Sequence, residues 1–227
     1  HLFLKLCSIM GEAYCLHTPQ AVATSLRRGM SAVDHPWRAG PFFLLLPMNT
    51  QPAKLPHFNI DELPQARTPR PNAATDDAAY AGAAKAIAGA QRPVVKVGGG
   101  ARHAGPQLLE FLELTGAVAV LSPLVSGVIP YEHPRNMTVG GSKGSLCGNY
   151  AMEEADLLVA IGTRAVCQSD CSRTGYPKVD KIVNINADPA AALHYNKTIA
   201  LVGDAALTLA RLNNELRALP RKPVSAW

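Results

Sequence analysis

The stretch Arg92–Gly105, RPVVKVGGGARHAG, constrains the fold more than any other. Pro93 can open a strand, Val94, Val95 and Val97 form a short β-branched run, and Gly98–Gly100 let the backbone turn where no Cβ obstructs it. Leu108, Phe111, Leu112 and Thr115 follow at i, i+3, i+4 and i+7, which predicts an amphipathic helix whose first N–H groups can meet an anion. Strand, glycines and helix make half of a nucleotide-binding unit, or a tight β–α turn and nothing more. The dinucleotide fingerprint G-x-G-x-x-G finds Gly98 and Gly100, but His103 stands in the third place, and the next strand ends at Leu121-Ser122 without a carboxylate. NAD binding through this turn is therefore disfavoured, and a free-standing NAD- or FAD-binding oxidoreductase is kept as the rival reading.

Further along, Ala117–Leu121, Asp156–Gly162, Lys181–Asn186 and Ile199–Val202 read as strands, Thr75-Asp76-Asp77 caps an alanine-rich helix that runs up to Ala90, and Asn149–Ala155 suits a short helix. A closing helix carries Leu209, Leu212, Leu216 and Leu219 on one stripe, with Asp204 as its N-cap. Strands alternating with helices predict an α/β fold: a three-layer, doubly wound, mainly parallel six-stranded sheet of Rossmann-like type over residues 75–217. In residues 1–50, Thr18-Pro19-Gln20 starts a helix with Val22, Leu26, Met30 and Val33 on one face, and Phe42–Leu46 forms a strand apolar on both faces. One helix and one buried strand cannot close a sheet, so this part is expected to be an incomplete α/β appendage. Residues 51–74, with prolines at 52, 56, 64, 69 and 71, read as a linker, and residues 218–227 as the start of another.

Ligands of such sheets sit outside the carboxyl ends of the strands, where this chain is glycine-rich or polar. The candidate binding residues are Gly99, Gly100, Gly162, Thr163, Arg164, Asn186, Asp188, Gly203 and Asp204. Arg164 suits a phosphate or an ion pair at the domain edge, Asn186 or Asp188 a ribose or adenine, and Asp188 also a simple turn with Pro189. No nucleophile elbow, P-loop or H-E-x-x-H occurs, and the seven histidines stand at no catalytic spacing, so no catalytic residue is assigned. Five cysteines without a framework spacing suit a reducing, cytoplasmic setting, and Cys167-x-x-x-Cys171 lacks a second ligand pair, so no metal site is assigned. The net charge of +5 is scattered, which speaks against nucleic acid, and no apolar run approaches the roughly 18 residues a membrane helix needs.

The ordered set RPVVKVGGGA, VIPYEHP, VGGSKGS, NYAMEEADLLVAIGTR, KIVNINADP and LVGD resembles the central domain of thiamine-diphosphate-dependent enzymes of the acetolactate synthase and pyruvate oxidase type. GPFFLLLPMNTQ, residues 40–51, resembles the end of that family's pyrimidine-binding domain. The resemblance implies a parent enzyme acting on a carbon–carbon bond next to a carbonyl in a 2-oxo-acid-type substrate. It implies thiamine diphosphate and Mg²⁺ in that parent, FAD, ADP or nothing in the central domain, missing flanking domains, and a homodimer or homotetramer. With His at residue 1, the chain is expected to be a piece of a longer protein. The family's activating glutamate lies upstream of the segments matched, and its diphosphate motif G-D-G…N is not met by Gly203-Asp204-Ala205, which Asn213 and Asn214 follow too soon. The piece alone is therefore expected to be a structural or nucleotide-binding domain without turnover. The family's flavin binders tend to carry an acid where Asn186 stands, which leaves an empty or adenine-nucleotide-binding pocket equally open.

Overall fold

A computed structural model of the chain describes residues 2–56, 58–63, 65, 71–164, 175–220 and 225–227. It divides into two compact units, His1–Arg70 and Pro71–Trp227. In the first, helix α1 (Leu2–Met10) leads into strand β1 (Glu12–Cys15), and helix α2 (Val22–Val33) into strand β2 (Phe42–Leu45). β1 and β2 pair in parallel, Glu12 opposite Phe42 and Cys15 opposite Leu45. This unit thus has twice the elements expected, and β2 is half-buried where burial on both faces was expected. The start of α2 also differs: Pro19–Ala21 forms a 3₁₀ turn, and the Thr18 side chain makes no cap bond. The buried positions of α2 are Ser25 and Gly29, while Val33 is half exposed. Gly29 faces the β2 residue Phe42, whose ring lies 2.6 Å from where a Cβ would stand, so a small residue sets the contact.

The second unit opens with helix α3 (Asp77–Gly89), whose N-cap Asp76 accepts a hydrogen bond from Ala79 N. Strand β3 (Pro93–Val97) and helix α4 (Gly105–Thr115) come next, then β4 (Val118–Leu121), β5 (Asn136–Val139) and helix α5 (Leu146–Glu154). Strands β6 (Leu157–Ile161) and β7 (Lys181–Asn186), the short helix α6 (Pro189–Ala192), β8 (Thr198–Val202) and helix α7 (Ala205–Ala218) complete it. All six strands pair in parallel in the order β5-β4-β3-β6-β7-β8. The fold class read from the sequence is therefore the one adopted. Side chains alternate between faces along each strand. Val95, Val97, Ala119, Val159, Ile161, Val183, Ile185 and Leu201 pack beneath α3, α4 and α7, while Val94, Val120, Leu158 and Ala160 meet Ala151 and Met152 of α5 on the other face.

Edge strand β5 has no counterpart among the segments read as strands. Ala119 pairs with Asn136 and Leu121 with Val139, so three steps oppose two. The extra residue is taken up near Thr138, at φ 62, whose N–H bonds to Asn136 Oδ1 at 2.8 Å and whose hydroxyl bonds to Ser145 Oγ at 2.6 Å.

At the amino ends of the strands the sheet is tied from two sides. The Asp156 carboxylate accepts from the N–H groups of Gln91 (2.6 Å) and Arg92 (2.9 Å). The chain's last residues return there: Ala226 N–H bonds to Gln91 O at 3.0 Å and the Trp227 indole N–H to Pro93 O at 3.0 Å. The Arg92 guanidinium lies 5.8 Å from the Trp227 ring centre and pairs with Glu154 at 2.9 Å.

Candidate functional site

The strand order places a topological switch between β3 and β6, because the chain winds from β3 to β4 and β5 on one side and from β6 to β7 and β8 on the other. Crevices at such switches, at the carboxyl ends, are where doubly wound sheets hold ligands. Here the two strand ends are in direct backbone contact. Gly98 N–H donates to Ile161 O at 2.8 Å and Gly100 N–H to Gly162 O at 3.0 Å. A Cβ on Gly98 would stand 2.4 Å from Gly162 O, and one on Gly100 2.9 Å from Gly162 Cα. Gly162, at φ 60, has Ala101 N at 2.6 Å from its would-be Cβ. Gly98 and Gly100 are thus required by close approach and not by a positive φ, whereas a Cβ on Gly99 would meet nothing nearer than 3.7 Å.

The turn also spends most of its donors. Ala101 N–H goes to Gly98 O and Arg102 N–H to Gly99 O around the 3₁₀ turn at Gly99–Ala101, and Ala104 N–H goes to Ala101 O just after it. Helix α4 begins only at Gly105 and carries Pro106, which has no N–H, in its first turn. Gly99 is partly exposed and Gly100 exposed.

At the neighbouring ends, Asn186 is buried and uses both ends of its amide. Its Nδ2 donates to Thr163 O at 2.8 Å and its Oδ1 accepts from Asp188 N–H at 3.1 Å. The Asp188 carboxylate in turn accepts from Ala190 N–H at 3.0 Å as the cap of α6. The Asp204 carboxylate caps α7 through Leu207 N–H at 3.0 Å, and Asp204 N–H donates to Asn72 O at 2.7 Å. Gly203 lies under the same segment, with Ala74 N 2.3 Å from its would-be Cβ, and Ala74 N–H donates to Thr208 Oγ1 at 3.1 Å. Arg211 bonds to Ala74 O, pairs with Asp77 and lies 4.1 Å from the Tyr80 ring centre. Of the nine candidates, Arg164 is exposed and makes no ion pair or hydrogen bond among the described residues.

Two polar side chains inside the sheet were not singled out from the sequence. Lys96, in the centre of β3, is fully buried, and Ala160 separates it in register from Asn184, also fully buried. Asn184 Nδ2 donates to Ala191 O at 2.9 Å, and its Oδ1 has no partner among the described residues. The signal was available: a lysine within PVVKV and an asparagine within KIVNIN interrupt apolar runs. An open cavity of about 330 Å³ lies elsewhere, near the amino ends of β6 and β7, with Leu158, Tyr176, Ile182, Tyr195 and Lys197 in its wall. Cys167 and Cys171 lie outside the described residues. Among those described, no three His, Cys, Asp or Glu side chains converge as metal ligands, and no helix is long and apolar enough to cross a membrane.

A doubly wound sheet with strands in this order defines a nucleotide-binding type of fold. Residues 80–212 match the family described as thiamine pyrophosphate enzyme, central domain. The chain belongs to that family. It is 30% identical over 210 residues to probable acetolactate synthase 2, chloroplastic, of Oryza sativa subsp. japonica, covering 84% of this chain and 30% of that protein. To the acetolactate synthase of Mycobacterium bovis it is 33% identical over 138 residues, covering 60% of this chain and 22% of the other. The chain thus spans under a third of the length of these relatives. The crystal structure of benzoylformate decarboxylase from Polynucleobacter necessarius superposes with a TM-score of 0.70 at 18% identity, covering 98% of this chain and 41% of that one, a likeness of fold.

The family implies thiamine diphosphate, usually with Mg²⁺. The residues here do not fit that pair: Gly203-Asp204 is a helix cap under the chain's own segment, and no metal-ligand cluster stands among the described residues.

Proposed function

We propose that residues 75–217 are the central domain, and residues 1–50 the end of a pyrimidine-binding domain, of a thiamine-diphosphate-dependent enzyme that makes or breaks a carbon–carbon bond next to the carbonyl of a 2-oxo-acid-type substrate. Residues 51–74 then act as the linker between the two, and 218–227 begin a linker to a diphosphate-binding domain. The parent works as a homodimer or homotetramer in a reducing compartment, and this piece alone does not turn over. The contiguous family match over residues 80–212 carries the reading. Helix α1 supports the incompleteness of residues 1–50: it is largely apolar yet has no buried residue, with Leu2, Phe3 and Ile9 all more than two-thirds exposed.

Calorimetry of the chain with thiamine diphosphate and Mg²⁺, alongside a pyruvate-consumption assay, tests the assignment of roles. No binding and no turnover are expected of this piece. Micromolar cofactor binding, or turnover, would show that it holds a complete site. For the parent, the coding sequence on both sides decides: an activating glutamate upstream and G-D-G…N downstream are expected, and a lack of both sinks the reading.

A further inference from the structure

The family resemblance leaves FAD, ADP or nothing as the expected occupant of this central domain. We infer that, among the described residues, the glycine turn at the switch and the ends of β7 and β8 instead form a structural joint that does not hold the diphosphate of a nucleotide.

Three independent observations carry this. A nucleotide diphosphate at a switch point is held by backbone N–H groups of the glycine turn and the following helix start. Here the N–H groups of Gly98, Gly100, Ala101, Arg102 and Ala104 are all bonded to carbonyls of the chain, the first two across to β6. Prying the glycine turn from β6 to free those two would leave Ile161 O and Gly162 O without partners, and a buried carbonyl without a partner is costly.

The second observation is at β7. A ribose or adenine recognised at this strand end needs a polar side chain free to turn towards it. The buried Asn186 amide is held in place by donating to Thr163 O and accepting from Asp188 N–H, so it fastens β6 to the turn after β7. Third, the end of β8 is covered by the chain itself. Asn72 and Ala74 bond to Asp204 N and Thr208 Oγ1, and backbone atoms of Ala73 and Ala74 lie 2.7 and 2.3 Å from the Gly203 Cβ position. A ligand reaching across the switch to β8 would have to displace this segment.

Titration of the chain with FAD, NAD and ADP by calorimetry, with hydrogen exchange of the backbone amides in parallel, tests the joint. No saturable micromolar binding is expected from any of the three, and the amides of Gly98, Gly100 and Asp204 should exchange as slowly as those of β3 and β6. Saturable binding of any one overturns the inference, as does exchange of those amides at the rate of exposed loops. The inference rests on the family reading only in its choice of probes. Nucleotide binding would reject it and leave the parent's chemistry standing, whereas a parent sequence lacking both the activating glutamate and G-D-G…N would reject that chemistry and leave the joint standing.

Discussion

Gly162 joins two constraints that a sequence motif does not separate. Its φ of 60 is left-handed, and its would-be Cβ falls 2.6 Å from Ala101 N and 2.7 Å from Gly100 Cα. Gly162→Ala must both strain the backbone and push the glycine turn away from β6. A loss of about 2–4 kcal/mol in urea denaturation is expected, against little loss at Gly89, where nothing lies within 4 Å of the Cβ position. Tyr80 makes a prediction at alkaline pH. Burial raises its phenol above the ordinary value, while the neighbouring Thr208 hydroxyl and Arg211 charge pull it down by less. A raised folded value means that the neutral form is favoured in the native state. The contribution is complete below the unfolded pKa of about 10 and is lost as pH rises above it through the folded value. Thermal melts should show this decline in the native chain and a flatter alkaline limb in Tyr80→Phe.

Among the elements, α3 offers the clearest single cap. The Asp76 carboxylate accepts from Ala79 N–H at 3.0 Å, so Asp76→Ala should cost about 1 kcal/mol by chemical denaturation, with Asp76→Asn retaining most of it. That cap was legible, as were β3, β4, β6, β7, β8 and α7, because each combines an apolar run of the right period with a glycine, proline or cap residue at its end. Strand β5 was not. Asn136-Met137-Thr138-Val139 is short, half-buried and bulged, and nothing local distinguishes it from the loop it follows. β1, Glu12–Cys15, escaped for the same reason: its partner β2 lies 30 residues on, and the pairing stabilises a segment with little periodicity of its own. At the candidate site, the positions were readable and their condition was not. A sequence marks Asn186, Asp204 and Gly203 as lying at strand ends, but whether their polar groups are spent depends on contacts from Asn72, Thr163 and Thr208, far away along the chain.

The whole molecule consists of two compact units that differ in how far their apolar side chains are covered. Residues 71–227 enclose a sheet with helices on both faces, whereas residues 1–70 hold a two-stranded sheet with apolar side chains left exposed on α1, among them Leu2, Phe3 and Ile9. Unequal stability follows, with the first unit opening at lower denaturant. The return of the chain's end to β3 makes this directly observable. The protein has two tryptophans, Trp37 in the first unit and Trp227 against Pro93 and Arg92 in the second. Each unit therefore carries its own fluorophore. With Trp37→Phe or Trp227→Phe in place, emission during a denaturant titration reports one unit at a time: the signal of Trp37 should shift first and that of Trp227 later, and coincident midpoints would mean that the two unfold as one.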